Sequence, residues 1–135
     1  PTPSCTLARV DFVTLYVTAD ADPGVGGGEW ELGLIANGIA KLKNYPDGFI
    51  DDQGGPYNIG VSIFVPITQH TSELRVRVTG SEHDNFISGG AHDVIPAADR
   101  AWSAAQNFGI GQTFDMSASN ADAAYSVTVR ISCAP

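Results

Sequence analysis

Apolar and polar residues alternate along most of this 135-residue chain, the period of strands with one face buried and one in water. A first strand is predicted over 6–18. Cys5, Leu7, Val13, Leu15 and Val17 share one parity there, whereas Val10 and Phe12 fall on the other, a phase break that predicts a bulge. A second strand over 29–37 gathers Trp30, Leu32, Leu34 and Ala36 on one face. Asn37-Gly38 is a strong two-residue hairpin signal, and a third strand returns over 39–45. Tyr57, Ile59, Val61, Ile63 and Val65 alternate in a fourth. Leu74, Val76 and Val78 do so in a fifth, with Arg75 and Arg77 on its other face. Segment 96–108 predicts a short helix, because Pro96 suits a first turn and alanines follow, with Trp102 packing across the molecule. A sixth strand is predicted near 110–117. In the last, Tyr125, Val127, Val129, Ile131 and Cys133 face inward. The expected fold is all-β: a single antiparallel β-sandwich of about seven to eight strands with one short helix in a long loop, residues 1–135 forming one domain.

Composition narrows the functional classes. A net charge of −8 argues against nucleic acid, whose phosphates need clustered Lys and Arg. It also discourages contact with anionic lipid unless a bound metal inverts the local charge. No apolar run is long enough to form a transmembrane segment. The chain begins at Pro1 without Met, as expected of a processed or trimmed polypeptide. Its two cysteines, Cys5 and Cys133, stand near the two ends. If the first and last strands are neighbours, a disulfide can form between them, which implies a secreted, cell-surface or periplasmic location. The alternative is a pair of buried thiols.

The acidic residues carry the chemistry. Eleven of the 15 fall in 20–31, 47–52 and 82–99, and none of the 7 Lys and Arg residues do. Carboxylates gathered without basic partners repel one another, and a hard divalent cation with oxygen ligands, calcium above all, offsets that repulsion. With strands running alternately up and down, the connections after strands one, three and five emerge together at one end, and these are the acidic ones. The first loop places Asp20, Asp22 and Glu29 around a glycine-rich turn. The last places Glu82, Asp84 and Asp93 in a second acid-x-acid pair with a later acid. The middle loop adds Asp47, Asp51 and Asp52 as lesser candidates.

These loops resemble the calcium-binding loops of C2 domains. The Asp20/Asp22 pair matches the first loop, and a strand from Leu74 running into Glu82-His83-Asp84, then Asp93-Val94-Ile95, matches the third. The resemblance implies a β-sandwich that binds Ca²⁺ through Asp20, Asp22, Glu82, Asp84 and Asp93, with Glu29 as a further candidate. Glu82 stands where the pattern has Asp, and the gap to Asp93 is longer. Basic strand residues and apolar loop tips are sparse, Phe86 and Ile87 being the obvious ones, which speaks against membrane docking.

The remaining histidines, tryptophans and tyrosines point to other chemistries. His70, His83 and His92 are expected on the surface rather than as zinc ligands, since the cluster is rich in oxygen. Paired carboxylates also serve glycoside hydrolysis, with Trp30 and Trp102 able to stack on a sugar. No GxSxG, HExxH or P-loop motif is present, and the expectation is a non-enzyme. A carbohydrate-binding or adhesion module remains an alternative, with Tyr45, Phe49, Tyr57 or Phe86 supplying stacking surface for a glycan or protein ligand at the loop rim.

Overall fold

In a computed structural model, residues 4–20, 29–45, 54–83, 92–120 and 123–135 are described. Eight strands follow one another: β1 (Leu7–Asp20), β2 (Glu29–Ala36), β3 (Ile39–Asn44), β4 (Gly54–Pro66), β5 (Glu73–His83), β6 (His92–Ser103), β7 (Thr113–Ser119) and β8 (Ala123–Cys133). They form two four-stranded antiparallel sheets, ordered β4-β1-β8-β7 and β3-β2-β5-β6. The inner faces meet in one core, to which β2 gives Trp30, Leu32, Leu34 and Ala36, and β8 gives Tyr125, Val127, Val129 and Ile131. The Asn37-Gly38 hairpin is present, both residues at positive φ (45° and 82°) as its tight turn demands.

The phase break in β1 is a bulge. Phe12 and Thr14 oppose consecutive β8 residues Val129 and Thr128, so an extra residue, Val13, is inserted. Ala8, Val10 and Phe12 face the core before it, and Leu15 and Val17 after it. Cys5 is buried, but Leu7 and Val13 lie only partly inside.

The helix predicted over 96–108 is not formed. Residues up to Ser103 belong to β6, and only Ala104–Gly109 turn, as a 3-10 segment. The cause is another bulge. Val78 and Gly80 oppose Ala98 and Ile95, two steps on β5 against three on β6, with Pro96 in the gap. The buried residues Ile95, Ala98 and Trp102 therefore recur at spacings of three and four, which imitates a helix. β6 is an edge strand, where a proline without an N–H is tolerated.

Cys5 and Cys133 form a disulfide, with Cα atoms 5.8 Å apart across 128 positions of sequence. Cys133 keeps the core-facing parity, opposite buried Ala8, but is itself exposed at the end of the strand. Each open side of the sandwich is closed by a basic side chain from an edge strand. Lys41 Nζ donates to the Ser62 carbonyl at 2.7 Å, and Arg100 lies over the Trp102 and Phe114 rings.

Candidate metal centre

Strand direction decides which residues meet. The C-terminal ends of β1, β3, β5 and β7 and the N-terminal ends of β2, β4, β6 and β8 share one pole. The strand ends flanking 21–28, 46–53 and 84–91 are all there. The Asn37-Gly38 turn, the 67–72 connection with His70 and the disulfide occupy the opposite pole.

The two sheets are joined beneath the first pole by a layer of aromatic residues. Trp30 is fully buried, and its ring meets Tyr125 edge-on with centroids 6.0 Å apart. The Tyr125 hydroxyl donates to the Pro96 carbonyl at 2.6 Å, linking β8 to the β6 bulge. Tyr45 donates its hydroxyl proton to the Asn58 carbonyl at 2.8 Å and packs near Tyr57. Burial pushes the Tyr125 phenol up to about 12, and drives that of Tyr45 well above its ordinary value. Both therefore stay neutral donors at physiological pH. This layer supports the strand ends, and its role is not legible from alternation alone. The usable signal is that an inward tyrosine needs an acceptor for its hydroxyl.

Register places the candidate ligands. Trp30 opposes Glu82, which opposes Asp93, so these two acids occupy the inner-face row of a core tryptophan, at the mouth of the sandwich. Asp20 reaches the same side by a second β1 bulge. Val17 and Ala19 oppose consecutive residues Tyr125 and Ala124, and Asp20 then opposes fully buried Ala123. Without that extra residue, Asp20 would continue the outward row of Thr14, Tyr16 and Thr18. Bulges re-aim residues in this way near functional sites.

Glu29 falls in the other row of β2, opposite His83, which opposes His92. The backbone thus separates Glu29 from Asp20, Glu82 and Asp93 and aligns it with two histidines. Asp22 and Asp84 lie outside the described residues, as do Asp47, Asp51, Asp52, Phe49, Phe86 and Ile87. Among the described residues, no group of three His, Cys, Asp or Glu side chains is gathered to hold a metal ion. The donor chemistry of the candidates fits calcium all the same: Asp20, Glu82 and Asp93 are all carboxylates, oxygen donors of the kind calcium takes.

Three sequence expectations change. Asp99, counted with the unpartnered acids, lies well along β6 and pairs with Arg75 at 2.8 Å. Trp30 and Trp102 are buried and offer no face to a sugar. Tyr45 is buried and Tyr57 half-buried, so neither supplies an open stacking surface at the rim.

No family model matches the chain, and no curated protein matches it in sequence. Solved structures do share its fold. Human GIVD cytosolic phospholipase A2, in complex with a methyl gamma-linolenyl fluorophosphonate inhibitor and terbium chloride, superposes with a TM-score of 0.56 at 9% identity, over 99% of this chain and 18% of that one. A C2 domain matches with a TM-score of 0.54 at 10% identity, covering 94% of this chain and 98% of that one. A C2 domain of plant Extended Synaptotagmin 1 matches at 0.55 and 6% identity, covering 97% of both chains. The chain thus spans less than a fifth of the phospholipase and nearly all of the two C2 domains. At such low identity the likeness is one of architecture, and the fold is a C2-like β-sandwich.

Proposed function

We propose that this chain is a non-catalytic calcium-binding module, secreted or surface-exposed, whose acidic rim binds Ca²⁺ for stability and for calcium-dependent engagement of a glycan or protein partner. The observation that carries the reading is the register of Asp20, Glu82 and Asp93, three acids from three strands in inner-face rows at one mouth. Like charges directly opposite in a sheet, as Glu82 and Asp93 are, destabilise it unless something neutralises them. A hard cation taking six to eight oxygens does so. Asp22 and Asp84, adjoining these strand ends in sequence, would complete the oxygen set.

Bound calcium would supply charge neutralisation and no redox or acid–base chemistry. The residues do the rest. Asp20 belongs to one sheet, Glu82 and Asp93 to the other, so shared ligation would fasten the two sheets at the mouth. The tyrosine layer beneath fixes the strand ends from which the ligands project. A phospholipase neighbour solved with terbium chloride, a hard oxygen-seeking lanthanide, supports the reading through the shared fold. The Cys5–Cys133 disulfide supports an oxidising compartment.

The test is calorimetric calcium titration beside thermal unfolding in calcium and in chelator. Asp20→Asn, Glu82→Gln and Asp93→Asn should each weaken calcium at least roughly tenfold, the loss of one charged ligand. Glu29→Gln, in the other row, should weaken it less. A wild-type melting temperature indifferent to both calcium and chelator would reject the proposal.

A further inference from the structure

The outer face of the β4-β1-β8-β7 sheet carries an open trough of about 330 Å³, separate from the acidic mouth. Among the described residues its lining carries no charged side chain, in a chain of net charge −8. One wall is Tyr16, 47% exposed in mid-strand. The rest of the polar lining is hydroxyls, Thr18 from β1, Ser126 from β8, and Ser117 and Ser119 from β7, while Ala124 leaves the floor low. Tyr16, Ser126 and Ser117 stand opposite one another across three adjacent strands.

The Tyr16 ring has a prepared seat. A Cβ on Gly55 would lie 3.2 Å from Tyr16 Cδ1 and 2.7 Å from the Leu15 carbonyl, so only glycine lets β4 pass this close. The ring is thereby backed by β4 on one side and open towards the trough on the other.

We propose that this trough binds a neutral glycan. An aromatic face presented to solvent matches the C–H face of a pyranose, and hydroxyls that both donate and accept suit its equatorial edge. Phosphate, sulfate and carboxylate ligands are disfavoured, because a chain of net charge −8 repels them. The trough is open on one side, whereas an acyl chain needs a deep enclosed pocket. An extended oligosaccharide lying across β1, β8 and β7 fits both its openness and its chemistry. The inference does not rest on calcium binding: it is argued from Tyr16, Thr18, Ser117, Ser119 and Ser126, none of which is a proposed ligand.

Amide-resolved NMR titration with the neutral hexaoses of β-1,4-glucose, β-1,3-glucose, β-1,4-mannose, β-1,4-xylose and β-1,4-N-acetylglucosamine tests it, with a heparin hexasaccharide as the polyanionic comparison. At least one neutral hexaose should shift amides at 16–18, 117–119 and 124–126. Tyr16→Ala should weaken that binding roughly tenfold or more, while Tyr16→Phe, which keeps the ring, should stay within about threefold of wild type. The same titration on Asp93→Asn should be unchanged, which separates this result from the fate of the calcium reading. The proposal is overturned if no neutral hexaose shifts these amides, if heparin alone binds, or if Tyr16→Ala binds like wild type.

Discussion

Asp11 is a charged side chain buried to 7% exposure on a sheet face that otherwise meets water, and its neighbours explain why it stays ionised. Burial alone would push its carboxyl up. The Ser62 hydroxyl donates to it, Arg9 Nε donates at 2.9 Å, and Arg130 Nη2 approaches to 3.5 Å. Together these outweigh burial and hold the carboxyl below its ordinary value. Arg9 and Arg130 are themselves half-exposed, so each pair alone is worth little, and the value lies in the shared carboxylate. Asp11→Asn should therefore cost about 1–3 kcal/mol at neutral pH, measured by denaturant unfolding. The sign of the pH effect follows from the lowered value. The native state favours the ionised form, so the stabilisation is complete above the unfolded-state value near pH 4 and disappears as pH falls through the lower native value. The gap between wild type and Asp11→Asn should close on acidification. A gap constant from pH 7 to pH 2 would show that the carboxylate's charge is not what matters.

At the scale of elements, alternation predicted β2, β4 and β8 with little error, because each keeps its period of two through a continuous core row, while the Asn37-Gly38 hairpin signal placed β3, whose residues lie outside that core. It failed at β6, where Pro96 marks a bulge and the buried residues slip to a helical spacing. It half-failed in β1, where one bulge was visible as a phase break and the second, at Thr18–Ala19, was not. A bulge is set by the partner strand, which a single segment does not contain. For the same reason the acids' membership of the same pole was legible from strand counting, but their division between rows was not. Glu29 and Asp93 look alike in sequence, and only cross-strand register tells them apart. Tyr125 ties two of these elements together, since its hydroxyl bonds the carbonyl of Pro96 inside the β6 bulge. Tyr125→Phe should cost about 1–2 kcal/mol by leaving that carbonyl without its donor. The loss should be local as well as global: hydrogen exchange at 95–98 should quicken more than in β2. Equal acceleration throughout would mean that the bond does not specifically hold the bulge.

Over the whole molecule, the disulfide and the acidic strand ends lie at opposite poles. The disulfide ties the segment before β1 to the end of β8, and the acidic rim lies a full strand length away. A cross-link spanning 128 positions restricts the unfolded chain, and on the loop-entropy account it contributes about 5 kcal/mol. On the proposed reading calcium would act by a different route, binding the native state and adding about 2.7 kcal/mol when its concentration is a hundred times the dissociation constant. Sites so far apart with no shared neighbours should contribute additively. The double variant Cys5→Ala/Cys133→Ala should thus unfold at much lower denaturant, yet calcium should still raise its stability by the wild-type increment within about 0.5 kcal/mol. If breaking the cross-link abolished the calcium increment while the β-sheet signal by circular dichroism remained, the rim would depend on the far pole, and β1 and β8, which run between them, would be the elements transmitting that dependence.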